Sequence, residues 1–127
     1  IRTKASNIFI GNCSGNNNTL GGHNTFIGIG TGAFNISGSD NFFVGLSSGF
    51  TNTNGSNNTF IGRVVGCNNT TGSNNVFIGT NIRENTTGSR NIFLGRRAGD
   101  CNTVGNDNVF LVVMPASRIP VVAIITL

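Results

Sequence analysis

Apolar residues in this chain concentrate in short clusters that recur at a nearly constant distance, with Gly, Asn, Ser and Thr dominating the intervals. Each cluster is a phrase of the form Asn-x-Phe-[Ile/Val/Leu]-Gly. Its phenylalanines are Phe9, Phe26, Phe43, Phe60, Phe77, Phe93 and Phe110, spaced 17, 17, 17, 17, 16 and 17 residues apart. One aromatic per short fixed period is the pattern of a solenoid, where each repeat is one coil stacked on the next. No stretch carries the 3.6-residue apolar period of an amphipathic helix. Within the phrase, alternate side chains of a strand must point to opposite faces. Phe therefore faces one way, and its neighbours, such as Thr25 and Ile27 or Val76 and Ile78, face the other. Both faces are apolar, so one must be buried against a second layer of the coil or a neighbouring chain.

Three glycine columns divide each coil. The first closes the phrase (Gly11, Gly28, Gly45, Gly62, Gly79, Gly95), the second lies four residues on (Gly15, Gly32, Gly49, Gly66, Gly99), and the third precedes the next Phe by five (Gly21, Gly38, Gly55, Gly72, Gly88, Gly105). Fixed glycines mark turns with positive φ or close backbone approach. The predicted fold is all-β: a parallel β-solenoid of about seven 17-residue coils over residues 1–112. The 16-residue copy places Arg83 where a second-column Gly is due, and the missing residue is expected to be absorbed around Arg83 and Glu84. A one-residue slip in the strand would instead turn Phe93 to the wrong face.

The leading Asn never varies: Asn7, Asn24, Asn41, Asn58, Asn75, Asn91 and Asn108. It reads as a structural ladder whose stacked amides bond up and down the column, as in cross-β stacks. Ser14, Thr31, Ser48, Val65, Ile82 and Ala98 fit a half-buried second wall. A column of Thr19, Thr53, Thr70, Thr86 and Thr103 is interrupted by Ile36.

At the C-terminus the repeat breaks. Val112 replaces the phrase Gly, Val109–Met114 continues as an apolar strand, and Pro115 and Pro120 flank a turn carrying Arg118. Residues 113–127 are expected to form an apolar cap or an assembly segment, with Val121, Val122, Ile124, Ile125 and Leu127 as the assembly residues. Two prolines and an arginine exclude a membrane span, which needs roughly 20 apolar residues.

Only 9% of residues are charged, where ordinary domains carry about a quarter. Such a polar, Gly-rich chain would read as disordered were its apolar residues not held in register. The net charge is +4. Arg83, Arg90, Arg96 and Arg97 lie in adjacent coils, but the nearby aromatics belong to the core column and no nucleic-acid module is present. Cys13, Cys67 and Cys101 occupy different places in the repeat and offer no C-x-x-C metal or redox pair. An odd count leaves room for one intramolecular disulfide with a spare thiol, and the favoured reading is three small, partly buried residues. No signal peptide is visible, and the start at Ile1 points to a processed product or a piece of a longer polypeptide.

Segments such as Asn58-Thr59-Phe60-Ile61-Gly62 and Asn69-Thr70-Thr71-Gly72-Ser73-Asn74-Asn75 resemble the NTFIG…AG…NTTGSN repeats of bacteriophage tail-fibre-like proteins. More distantly, they resemble the head repeats of trimeric autotransporter adhesins, whose coils are shorter. The resemblance covers roughly residues 5–112. It implies a trimeric or otherwise laterally packed parallel β-roll in an extended fibre, and an extracellular, cell-surface or virion location.

No catalytic set is visible: there is one histidine, His23, and Asp40, Glu84, Asp100 and Asp107 are unpaired in sequence. The expectation is no enzyme, no cofactor and no metal. The favoured function is a structural subunit of an extracellular fibre or filament. It would assemble with itself, as a trimer or filament, through solenoid faces and ends. The alternative is a receptor-binding or adhesive fibre shaft with a cell-surface glycan or receptor as partner. Ice binding is a remote third, since it would need a regular Thr face.

Overall fold

The computed structural model describes residues 6–113 and 121–126 of the 127. Each phrase forms a three-residue strand: β1 (Ile8–Ile10), β2 (Thr25–Ile27), β3 (Phe42–Val44), β4 (Thr59–Ile61), β5 (Val76–Ile78) and β6 (Ile92–Leu94). The seventh phrase, where Val112 stands in for Gly, lengthens into β7 (Asn108–Val113), and β8 (Val121–Thr126) follows. The strands form one sheet in sequence order, parallel from β1 to β7. The chain is a parallel β-solenoid, and no helix occurs among the described residues.

The register pairs Phe with Phe at every step, including Phe77 with Phe93 across the short coil. In that coil Ile82 still accepts from Gly66 N–H, and Asn85 still meets Asn69. The missing residue is therefore taken up between Ile82 and Asn85, in the irregular segment holding exposed Arg83 and half-buried Glu84.

Phenylalanine is the inward face. Phe26, Phe43, Phe60, Phe77 and Phe93 have no exposed surface, and successive rings stack with centroids 4.4–5.0 Å apart. Phe110 is half-buried, and Phe9 in the first coil is 36% exposed. Burying one such ring contributes about 2–3 kcal/mol. Room for it comes from the second glycine column: Gly32 has φ +57°, and a Cβ there would collide with the Phe26 ring. The third column works differently. Gly55 has no positive φ, but a Cβ would strike the Asn52 amide oxygen and the Gly72 carbonyl of the next coil.

The second wall is more deeply buried than expected from Thr31 onward, and its polar members are satisfied. Ser14, Thr31 and Ser48 donate to the carbonyls of Phe26, Gly45 and Phe60 one coil on. Val65, Ile82 and Ala98 continue the column as apolar core.

At the C-terminal edge, β8 pairs antiparallel with β7, from Asn108↔Thr126 to Val113↔Val121, so the apolar end forms a hairpin on the last coil. Val121, Val122, Ile124 and Ile125 are in that strand. Leu127, and the turn expected around Pro115, Arg118 and Pro120, lie outside the described residues.

Candidate assembly surface and the ladders that hold it

The sheet's outward face is set by how the coils are clamped together. The Oδ1 of each phrase Asn accepts the backbone N–H of the next phrase Asn, from Asn7 with Asn24 to Asn91 with Asn108, at 2.8–3.0 Å. The Nδ2 donates to a third-column Gly carbonyl in that same next coil, as in Asn24 to Gly38 and Asn58 to Gly72, both 2.8 Å. These Asn side chains therefore bond to backbone, not amide to amide as the cross-β comparison anticipated. The exceptions are near the C-terminal end, where Asn91 also donates to the Asn85 side chain at 3.5 Å and Asn108 to the Asn91 side chain at 3.1 Å. The reason is geometric: the amide spans a donor and an acceptor three residues apart in one turn.

Amide-to-amide stacking occurs in a second ladder that sequence reasoning missed. Asn18, Asn35, Asn52, Asn69, Asn85 and Asn102 stand three before each third-column Gly. From Asn35 onward each donates to the Oδ1 of its predecessor at 2.6–3.3 Å. Each also donates to its own Gly carbonyl, so that Gly38, for instance, accepts from both Asn24 and Asn35. Asn35, Asn52, Asn69 and Asn85 are fully or almost fully buried. The signal was available, since this Asn is invariant in six copies. A third, shorter ladder runs through serine hydroxyls: Ser56, Ser73 and Ser89 accept the N–H of Ser39, Ser56 and Ser73. Among the described residues no buried side-chain nitrogen or oxygen lacks a partner.

With the interior filled by Phe and Asn, the residues flanking each Phe are left on the outer face. Ile8, Ile10, Phe42, Ile78, Ile92 and Leu111 are each 40–56% exposed, and the others in these two columns are half-buried. A second apolar area wraps around the Gly side of coils two and three. Ile29 and Leu46 are exposed there, and Phe34 meets Phe50 edge to face at 5.1 Å.

Charges sit at turns. His23 lies 3.4 Å from Asp40, Arg97 2.8 Å from Asp100, and Arg90 makes a two-point contact with Asp107 at 2.6 and 2.9 Å. The Arg90 hydrogen bond holds the Asp107 carboxyl below its ordinary range. This pair is fully solvated, so its contribution to stability is small. Arg83, Arg90, Arg96 and Arg97 are all exposed. Cys13 and Cys101 are exposed, more so than anticipated, whereas Cys67 is partly buried and burial pushes its thiol up. Among the described residues no cluster of His, Cys, Asp and Glu could hold a metal, and no helix is long and apolar enough to cross a membrane.

The Thr column offers no free hydroxyl array. Thr53, Thr70 and Thr86 donate to the carbonyls of Thr70, Thr86 and Thr103. Comparison with protein-family models, curated proteins and solved structures gives no match, so the assignment to a β-solenoid rests on the register and ladders themselves.

Proposed function

We propose that this chain is a structural subunit of an extracellular fibre or filament, associating with copies of itself through the solenoid face and ends. The observation that carries this reading is the unbroken column of stacked rings and Asn clamps from the first coil to the last, with an apolar face beside it. Every coil is tied to the next by backbone, amide and ring contacts, so bending the body at any level breaks several of them together. A mechanical element needs this property, and it needs no reactive group. The resemblance to tail-fibre repeats supports the extracellular setting.

The test is ultrastructure. Negative-stain images and sedimentation of the full chain should show extended assemblies. Removal of residues 115–127, which takes away β8 and with it the apolar strand proposed to dock the next chain, should abolish long assemblies while the coils stay folded. A truncated chain that still polymerises, or a full chain that sediments as a folded monomer at high concentration, overturns the proposal.

An adhesive shaft is the second reading, favoured by the partly exposed Phe34–Phe50 pair where other coils carry Asn16, Asn17, Cys67 and Asn68. Its partner would be a cell-surface glycan or receptor. Absence of binding to immobilised glycans or cells would count against it, and binding that survives Phe34→Ala with Phe50→Ala would remove that pair as its site.

A further inference from the structure

We infer that the outer face of β1–β7 is a sheet-on-sheet contact with a second copy of this chain, two copies packing face to face about a two-fold axis. This rests on the self-associating reading above and specifies its site and geometry.

The face carries no charge. The side chains flanking each core Phe, from Ile8 and Ile10 to Val109 and Leu111, are aliphatic apart from Phe42, Thr25 and Thr59. A charged partner finds nothing on it to pair with. Its extent also fits a dimer. The exposed fractions of these side chains correspond to roughly 700 Å² of accessible apolar surface, more than the few hundred Å² usual on a soluble monomer and close to the ~800 Å² per partner of a standard interface.

Sheet packing supplies the arrangement. Two sheets packed face to face lie about 10 Å apart and interdigitate their facing side chains, which brings both outward columns of each copy into the contact. The rows on this face also repeat at the coil spacing. A partner must share that spacing to interdigitate across seven coils, and an identical chain does so, giving an isologous contact.

Ile61 is half-buried in the middle strand, at the centre of this surface. Analytical ultracentrifugation of the full chain should show dimers, or assemblies built in multiples of two. Ile61→Lys should weaken the dimer by roughly 100-fold or more, because it places an unpaired charge in the contact. Thr71→Lys, on an exposed turn away from the sheet, should leave it unchanged. Far-UV circular dichroism reports whether each variant folds. Should Ile61→Lys not fold, Thr59→Lys replaces it, because that outward position already carries a polar group. Trimers, or a dimer indifferent to the lysine on the face, would overturn the inference. Fibres that persist with that lysine present would do so while leaving the proposed function standing. A wild-type monomer at high concentration would remove both.

Discussion

Replacing Asn58 with Asp changes one atom of a buried clamp and should report directly on how the coils are held. Asn58 has no exposed surface. Its Oδ1 accepts from Asn75 N–H at 2.9 Å and its Nδ2 donates to the Gly72 carbonyl at 2.8 Å. In Asn58→Ala the Asn75 N–H loses its acceptor, at a cost of about 1–3 kcal/mol for an unsatisfied buried donor. The Gly72 carbonyl still accepts from Asn69, so it forfeits only a second bond of about 1 kcal/mol. With the small cavity, Ala should cost about 2–4 kcal/mol. In Asn58→Asp the Asn75 contact survives, but a carboxylate oxygen now faces the Gly72 carbonyl in a site without water. Burial and this repulsion raise the folded-state pKa above that of an unfolded Asp, and an uncompensated buried charge at pH 7 should cost about 3–5 kcal/mol. The sign follows from linkage. The folded state holds its proton more tightly, so the penalty is greatest above the raised pKa and shrinks as pH falls towards 4. There the protonated acid can donate to Gly72 and accept from Asn75 as Asn did. Urea unfolding followed by circular dichroism between pH 7.5 and 4 measures this, with exposed Asn17→Asp as the control. The clamp account fails if Asn58→Asp is no worse than the control at pH 7, or if its penalty does not shrink on acidification.

Other outcomes follow from the same geometry. Phe60→Ala, in mid-stack with neighbours at 4.7 and 4.8 Å, should cost about 3–5 kcal/mol in urea unfolding; a loss under about 1 kcal/mol would mean the stack does not support the coil. Val64 is a β-branched residue held at φ 56°, a conformation costing L-residues roughly 1–2 kcal/mol. Val64→Asn should therefore raise the urea midpoint, and a lowered midpoint would show that packing of Val64 outweighs the strain. Cys67, its thiol pushed up by burial, should react with iodoacetamide at pH 8 more slowly than exposed Cys13 and Cys101; mass mapping that finds Cys67 modified first would contradict the burial.

Much of the architecture was legible because the repeat is written in residues with one strong preference each. A Phe every 17 residues has only one economical arrangement, and the strand period forced the 16-residue copy to absorb its deletion outside β5 and β6, as Ile82 and Asn85 show. The Asn18-to-Asn102 ladder escaped notice because Asn beside Gly reads first as a turn former, and its burial arises only when coils stack. The bonding of the phrase Asn was misjudged for a related reason: a carboxamide can reach either its own kind or backbone, and sequence spacing does not say which lies closer.

The sequence by itself therefore determined the period, the parallel register and the membership of each column, since these depend on spacing and strand alternation alone. It also marked Phe as the core column. Only the tertiary structure decided where the flanking columns go: alternation puts Thr25 and Ile27 opposite the buried Phe26 but does not say what covers them. The coil closes around the rings, with the side-chain-free Gly32 making room for Phe26, and the aliphatic columns are left facing outward, as the face on which the assembly proposals rest.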